Sequence, residues 1–148
     1  MLNIEIQQLS HAKDIPLPTY GSENCSGLDL YAAVKKNIKI KSGEIVIIPT
    51  GIKVVLKNNL EGQVRPRSGL AANFGITVLN TPGTIDADYR GEIKIILINH
   101  GKKLFLVERG MRIAQLIITK VEKVKWNKKK KITNQTKRKS SGFGSTGL

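Results

Sequence analysis

Five short stretches of this 148-residue chain concentrate the side chains that could perform chemistry. They combine arginines, hydroxyls, carboxylates and glycines, and they are residues 26–31, 66–70, 83–91, 112–116 and 142–147. Guanidinium groups bind phosphate oxygens through paired hydrogen bonds, and Arg67, Arg112 and Arg138 are the candidates. Glycines let the backbone approach an anion closely. Carboxylates can hold Mg²⁺ through water or activate an attacking water. These side chains together predict a site for a polyphosphate and a divalent cation.

Each stretch taken alone also has an ordinary structural explanation. An aspartate such as Asp29, in Gly-Leu-Asp-Leu, is more often a turn residue than a ligand, and Asp86 and Asp88 also favour turns. Ser68 could cap a helix. Residues 142–147 lack the Lys-Ser/Thr ending of a phosphate-binding P-loop. The order and spacing of all five stretches therefore carry the prediction, and no single stretch does.

Short strands must position these side chains, since helix signals are sparse. Apolar and β-branched residues predict strands at 37–40, 44–48, 51–56, 92–98 and 112–118. Turn residues separate them, and residues 58–62 are expected to be one such turn. Residues 83–91 are bracketed by glycines and are predicted to form a hairpin, and the one helix is expected at 68–74. Many short strands at close spacing indicate an all-β sandwich or barrel.

The composition favours one globular domain in a reducing compartment. A chain of 148 residues is long enough to bury a hydrophobic core without staples. Its single cysteine, Cys25, excludes a disulfide within the chain, so we expect a cytoplasmic location. The N-terminus carries no secretory-signal pattern, and no apolar run is long enough to cross a membrane. Neither Cys25 nor the isolated His11 and His100 has the spacing of a metal site.

The net charge of +14 comes mostly from one segment near the C-terminus. Residues 120–139 contain ten lysines or arginines and a single acid, Glu122. Such a run is usually a solvated segment and less often a contact for nucleic acid or an acidic partner. Only Trp126 interrupts it with an aromatic ring, which gives little support to base stacking on single strands.

The five stretches closely resemble, in order, the five motifs of the trimeric dUTPase family. Arg-Ser-Gly, Ile-Asp-x-Asp-Tyr-x-Gly, Arg-Ile-Ala-Gln and the terminal Gly-Phe-Gly-Ser-Thr-Gly are jointly specific, and they extend over nearly the whole chain. The resemblance implies a jelly-roll-like distorted β-barrel, in a homotrimer with exchanged C-terminal arms and active sites at subunit contacts. It places the barrel at residues 1–125 and the arm, with a glycine-rich lid, at 126–148. It also implies hydrolysis of dUTP to dUMP and pyrophosphate with Mg²⁺, which keeps uracil out of DNA and supplies dUMP for thymidylate synthesis.

The same resemblance assigns a role to each site residue. Asp86 would be the base that activates the water attacking the α-phosphate, and Asp29 would hold Mg²⁺ through its water shell. Tyr89 would lie under the deoxyribose and exclude a 2′-hydroxyl. The remaining substrate contacts would be phosphate ligands, uracil-reading groups and lid residues, namely Arg67, Ser68, Gly69, Asn80, Gly83, Thr84, Ile85, Gln115, Arg138, Phe143, Gly144, Ser145 and Thr146.

The fifth motif departs from the family pattern. Lys139 and Ser141 stand where the family has two glycines. If either residue must adopt a positive φ, the backbone strain costs on the order of 1 kcal/mol or more. We therefore expect an active enzyme with an altered lid. The lysines at 128–131, where relatives are often acidic, leave the docking partner of the arm open.

Two other functions compete with this interpretation. A dCTP deaminase, or a bifunctional relative, has the same fold, but such enzymes carry an Arg-Ser-Ser type motif and a catalytic glutamate. This chain has Arg67-Ser68-Gly69, and Glu92 is its only glutamate near residues 83–91. The basic tail and the altered fifth motif would alternatively suit a nucleic-acid or protein-binding barrel whose site has decayed.

Overall fold

The structure, a computed structural model, describes residues 2–132, 136 and 139–140. Strands dominate these residues, with one short 3-10 helix and one α-helix. The strands are β1 (Glu5–Gln8), β2 (Leu28–Tyr31), β3 (Ile38–Ile40), β4 (Ile45–Pro49), β5 (Ile52–Val55), β6 (Leu60–Arg65), β7 (Ile76–Val78), β8 (Gly83–Ile85), β9 (Lys94–Asn99), β10 (Phe105–Val107) and β11 (Arg112–Lys120); the helices are the 3-10 helix Ser10–Ala12 and α1 (Ser68–Phe74). No helix in this part of the chain is long and apolar enough to span a membrane.

Four antiparallel sheets enclose a single main core. Two sheets are larger, with strand orders β2-β11-β6-β8 and β4-β9-β7, and two are pairs, β1-β5 and β10-β3. Inward side chains from all four sheets form one hydrophobic cluster. The largest side chains that are completely buried in it are Leu30, Ile40, Ile48, Ile76, Ile93, Ile95, Leu97 and Ile113. Burial of this many branched side chains is the main stabilising contribution to the fold, and the predicted all-β, barrel-like architecture is confirmed.

The helix prediction is confirmed to the residue. Helix α1 begins at Ser68 and is followed by Gly75, which takes the left-handed conformation at φ 69° and donates its N–H to the Ala71 carbonyl. Glycine is the residue that reaches this conformation without steric cost. Arg67 occupies the N-cap position, and no side chain caps the helix there. The sequence suggested that Ser68 could cap the helix, but its hydroxyl does not do so.

Two local predictions are wrong. Residues 58–62 are only partly a turn, because β6 already begins at Leu60. Residues 83–91 do not form a β-hairpin: β8 pairs with β6, whereas β9 pairs with β4 and β7 in the other large sheet. The reason is that β9 is apolar on both faces and therefore lies in the centre of a sheet. The segment 86–93 thus crosses from one large sheet to the other.

Candidate active site

Two arginines and one carboxylate form an ion cluster at the end of the β2-β11-β6-β8 sheet. Asp29 lies on β2, and its side chain is only 14% exposed. Its Oδ1 is 3.1 Å from Nε of Arg67, and its Oδ2 is 3.3 Å from Nη1 of Arg112. Nη1 of Arg67 also donates to the carbonyl of Arg112 at 3.3 Å. Asp29 therefore neutralises and orients both cations, leaving their remaining N–H groups for an anionic ligand.

A cavity of about 480 Å³ lies over this ion cluster, and we call it the arginine cavity. It is lined by the predicted residues Ser68, Gly69 and Gln115, together with the three charged residues of the cluster. Nε2 of Gln115 donates to the carbonyl of Pro66 at 2.9 Å, which points its Oε1 towards Gly27. A Cβ atom at Gly27 would lie 3.0 Å from Cδ of Gln115, so glycine leaves the room that this amide needs.

A second, smaller cavity of about 210 Å³ lies beside β8, and we call it the loop cavity. The predicted uracil-reading and sugar residues and the predicted catalytic base line it, together with apolar side chains of β6, β7 and β9. These predicted residues are Asn80, Gly83, Thr84, Ile85, Asp86 and Tyr89. Its size and its mixture of apolar walls and main-chain polar groups suit a planar base.

Asp86 and Tyr89 differ in how firmly they are held. Asp86 is exposed, and no ion pair to it is formed by the residues that the structure describes. Tyr89 is 43% exposed, and its hydroxyl donates to the carbonyl of Glu92 at 3.0 Å. The tyrosine ring is therefore fixed at the mouth of the cavity, whereas the aspartate keeps its oxygens available to a water molecule.

The structure brings the predicted site residues together in two groups that share no lining residue. Phosphate and metal candidates line the arginine cavity, and base, sugar and water-activating candidates line the loop cavity. The lid candidates of the fifth motif, namely Arg138, Phe143, Gly144, Ser145 and Thr146, lie outside the described residues. Lys139 lies within the described residues and adopts a φ of 49°. This is the positive φ for which the sequence predicts backbone strain.

The oxygen ligands that the arginine cavity offers can be compared with those that Mg²⁺ requires. The described residues contain no group of three or more His, Cys, Asp or Glu side chains that could hold a metal alone. Mg²⁺ usually keeps several waters and takes one or two carboxylates plus the phosphates of a substrate. Oδ2 of Asp29 accepts a hydrogen bond from Arg112, Oδ1 forms an ion pair with Arg67, and each oxygen keeps an acceptor position free. A water-mediated contact between Asp29 and Mg²⁺ therefore fits this site.

Sequence reasoning missed several ion pairs and hydrogen bonds that the structure forms outside the two cavities. Glu92 has a side chain only 15% exposed, and its Oε1 lies 3.0 Å from Nε2 of His11. Arg109 makes a paired contact with Asp14, with Nε 2.9 Å from Oδ2, and this hydrogen bonding holds the pKa of the Asp14 carboxyl below its usual value. Arg109 also donates to the carbonyls of His11 and Val34. Partners 75 to 98 residues apart leave no sequence signal.

The all-β fold with an arginine cavity and a second, smaller cavity defines a β-barrel protein with a candidate anion site, and the similarity of the chain to known proteins identifies its family. The sequence profile of the dUTPase family matches residues 13–147, and the chain belongs to the dUTPase family. A protein of Rickettsia typhi named deoxyuridine 5'-triphosphate nucleotidohydrolase is 55% identical over 148 residues, covering 100% of this chain and 99% of its own. The protein of the same name from Wolbachia sp. subsp. Brugia malayi is 51% identical over 147 residues, which cover 99% of this chain and 94% of that protein.

Solved structures support the same fold. A mutant dUTPase of Staphylococcus bacteriophage 80alpha, in complex with dUpNHpp, superposes with a TM-score of 0.85 at 22% identity, and both chains are covered completely. A mutant dUTPase of phage phi11 of S. aureus, described with a structural Mg(II) ion, has a TM-score of 0.79 at 18% identity and covers 90% of this chain. At such low identity these structures establish the fold alone, and the predicted jelly-roll-like dUTPase barrel is confirmed.

Proposed function

We propose that this protein hydrolyses dUTP to dUMP and pyrophosphate, and thereby keeps uracil out of DNA and supplies dUMP for thymidylate synthesis. The observation that carries the proposal is the division of the site. Arg67 and Arg112, fixed by Asp29, offer cations for a polyphosphate, while the loop cavity offers a base-sized space beside the exposed Asp86. Family membership and the names of the relatives support dUTP as the nucleotide.

Asp86 acts as the general base in this proposal. Its carboxylate accepts a proton from a water molecule as the water oxygen bonds to the α-phosphorus. The bond between that phosphorus and the α,β-bridging oxygen breaks, and its electrons leave with pyrophosphate. A carboxylate that is exposed and free of ion pairs within the described chain keeps its lone pairs for this proton.

The arginine cavity binds and neutralises the phosphates. Arg67 and Ser68 bind phosphate oxygens, and Gln115 lies near the α-phosphate and the attacking water. When bound, Mg²⁺ would supply further charge neutralisation of the triphosphate, with Asp29 holding its water shell. Phosphoryl transfer depends mainly on such positioning and electrostatic stabilisation, so a preoriented cluster suits the reaction.

Base and sugar selection belong to the loop cavity. Asn80 and main-chain groups of residues 83–85 read the uracil edge, and Tyr89 lies against the deoxyribose. A cavity built to hydrogen-bond one base edge rejects analogues that leave its polar groups unpaired. Phe143 of the glycine-rich fifth motif closes over the base, Arg138, Ser145 and Thr146 reach the γ-phosphate, and Gly144 is a further substrate contact. Lys139, at φ 49°, makes this lid costlier to order than a glycine would.

We further propose that the active form is a homotrimer with exchanged C-terminal arms. Ile47, Ile96 and Leu79 form a row across the outer face of the β4-β9-β7 sheet, and the neighbouring Ile45 extends it. Ile45, Ile47 and Leu79 are 54%, 60% and 45% exposed. A contiguous apolar face of this kind indicates a protein contact. Sharing of each active site between two chains would also explain why the two cavities have no lining residue in common.

Coexpression of two inactive variants tests the shared site. If the loop cavity of one chain serves the arginine cavity of another, randomly mixed trimers of Asp86→Asn and Arg67→Ala chains should regain about one quarter of wild-type activity. Light scattering on the same sample gives the trimer mass. Mixed trimers without any recovery would show that both cavities of a site belong to the same chain.

Pyrophosphate release from dUTP, dTTP, dCTP and UTP with Mg²⁺ tests the function itself. Selective turnover of dUTP is the expected result. Ammonia release from dCTP would instead identify a deaminase. Lack of turnover on all four, combined with salt-sensitive binding of DNA or RNA, would identify a binding protein that uses the lysines near residues 128–131.

A further inference from the structure

The ring of Tyr89 is held in one orientation by two features that lie after it in the chain. Its hydroxyl donates a 3.0 Å hydrogen bond to the carbonyl of Glu92, and its ring lies over Gly91. The segment therefore folds back so that the tyrosine is attached to backbone only three residues further on. The ring nevertheless remains at the mouth of the loop cavity, where it is 43% exposed and can meet a sugar.

Gly91 is required here because of space and not because of backbone conformation. A Cβ atom at this position would lie 2.5 Å from Cζ of Tyr89 and 2.9 Å from Cε2. Real Cβ atoms do not approach other atoms this closely, so any side chain at Gly91 would displace the ring. Gly91 is not among the glycines with positive φ, so alanine is compatible with its backbone. A substitution to alanine thus moves the ring without straining the main chain.

The carbonyl that accepts the tyrosine hydroxyl belongs to an immobilised segment. Oε1 of Glu92 accepts the N–H of Gly51 at 2.8 Å and lies 3.0 Å from Nε2 of His11. The next residue, Ile93, donates its N–H to the Ile52 carbonyl at 2.9 Å. Its own carbonyl accepts from both the backbone N–H and the hydroxyl of Thr50. The hydrogen bonds of the Glu92 side chain and of the Ile93 backbone therefore fix the position of the Glu92 carbonyl, which lies between them.

We propose that Gly91 and Glu92, supported by His11, are positioning residues that set the discrimination between deoxyribose and ribose. They act through Tyr89. The absence of a side chain at Gly91 lets the ring pack against the backbone there, and the hydrogen bond to the Glu92 carbonyl holds the ring in the position that excludes a 2′-hydroxyl. His11 lies outside all five motif stretches, so part of this specificity depends on the 3-10 helix Ser10–Ala12. The inference rests on the proposed function, because it presupposes that the ring of Tyr89 contacts the sugar.

The test compares kcat/KM for dUTP and for UTP in Gly91→Ala and Tyr89→Phe proteins. Gly91→Ala should lower the dUTP:UTP ratio roughly 10-fold or more, because a displacement of the ring by about 1 Å costs large factors in a positioned site. Tyr89→Phe keeps the ring and loses only its bond to Glu92, and it should lower the ratio by roughly 3-fold. His11→Ala should lower it by about 2-fold, since it removes only an outer support.

Matched controls separate positioning from general damage. Gly21→Ala adds the same methyl group in the lining of the arginine cavity, where the nearest atom, Sγ of Cys25, is 3.8 Å away; it should keep the wild-type ratio because this cavity does not meet the sugar. Tyr31→Phe removes a hydroxyl for which the described residues provide no hydrogen-bond partner, and it should also keep the ratio. A purely structural effect of Gly91→Ala would lower both kcat/KM values in proportion and leave the ratio unchanged.

The possible outcomes distinguish this inference from the function on which it rests. A wild-type protein that releases no pyrophosphate from dUTP overturns the proposed function. A wild-type protein selective for dUTP, with unchanged ratios in both Gly91→Ala and Tyr89→Phe, overturns the positioning role alone. If Gly91→Ala does not fold, as judged by its melting curve, Tyr89→Phe decides the matter by itself.

Discussion

The two cavities hold their carboxylates in opposite ways. Asp29 is mostly buried between two guanidinium groups, and its charge is compensated within the chain. Asp86 is exposed at the mouth of the loop cavity, and no described residue forms an ion pair with it. One carboxylate is thus already committed to orienting cations, whereas the other is free to accept a proton.

This difference shows how residues of one type can be given separate tasks by their surroundings. A base must have accessible lone pairs, and a neighbouring cation would lower its proton affinity. A group that aligns arginines needs the opposite environment, with cations on both oxygens. Substitution of each carboxylate by its amide should therefore change different kinetic constants, which gives the comparison its most direct tests.

The largest effect is expected for Asp86→Asn. Loss of a general base lowers kcat by about 10²–10⁴-fold, while nucleotide affinity should remain near wild type because the ground state does not need the base. Steady-state kinetics with dUTP and calorimetric titration with a non-hydrolysable analogue measure the two quantities. Asp88→Asn, two residues further on, is the matched control and should retain kcat. Near-normal turnover by Asp86→Asn would show that another group activates the water.

A smaller effect with a different signature is expected for Asp29→Asn. The amide leaves Arg67 and Arg112 as two unneutralised cations that repel one another, so they should lose their alignment. Charge-assisted hydrogen bonds are worth about 1.5–3 kcal/mol, which corresponds to a loss of roughly 10–100-fold in kcat/KM. The loss should include a higher KM and a higher half-saturating Mg²⁺ concentration. Glu44→Gln, at an exposed surface pair with Lys41, should change neither. A pure kcat defect in Asp29→Asn would contradict the distinction between the two carboxylates.

Gly27 leaves room for Gln115 in the arginine cavity, as Gly91 leaves room for the ring of Tyr89 beside the loop cavity. Gly27→Ala should displace Gln115 from its bond to the Pro66 carbonyl and lower kcat by about 10-fold. A double-mutant cycle provides the check. In a Gln115→Ala background the same substitution should cost little more, because the displaced amide is already absent. Additive losses in the cycle would mean that Gly27 acts by another route.

The smallest expected effect concerns a carboxylate outside both cavities. Asp14 has a pKa below its ordinary value of 3.8, mainly because Arg109 donates hydrogen bonds to it. Its contribution to stability is therefore fully present above pH 3.8 and is lost as the pH falls through the lower folded value. Wild type should melt slightly above Asp14→Asn at neutral pH, and the difference should shrink below pH 3.8. Glu23→Gln, at an exposed position, should show no such difference; a gap that persists in acid would contradict this linkage.

Sequence reasoning located the elements better than the contacts between them. Helix Ser68–Phe74 and strands such as Ile45–Pro49 follow from local chemistry, so their positions were predictable. The pairing of β8 with β6 was not, because it depends on which strand lies in the centre of the other sheet. The contact of Asp29 with both arginines depends on the register between β2 and β11, where Asp29 lies opposite Gln115. Periodicity along one strand does not determine its register with another.

The segment 86–93, which crosses between the two large sheets, has a kinetic consequence. One end continues from β8, which is paired with β6, and the other is bonded to Thr50, Gly51 and Ile52. A segment that is held by hydrogen bonds at both ends keeps its position, so it does not have to move before a ligand enters the cavity. Nucleotide association with the loop cavity should therefore be a single second-order step at an ordinary protein–ligand rate. Under the proposed function, a slow, concentration-independent phase that follows is expected from the C-terminal arm, and deletion of residues 142–148 should remove it.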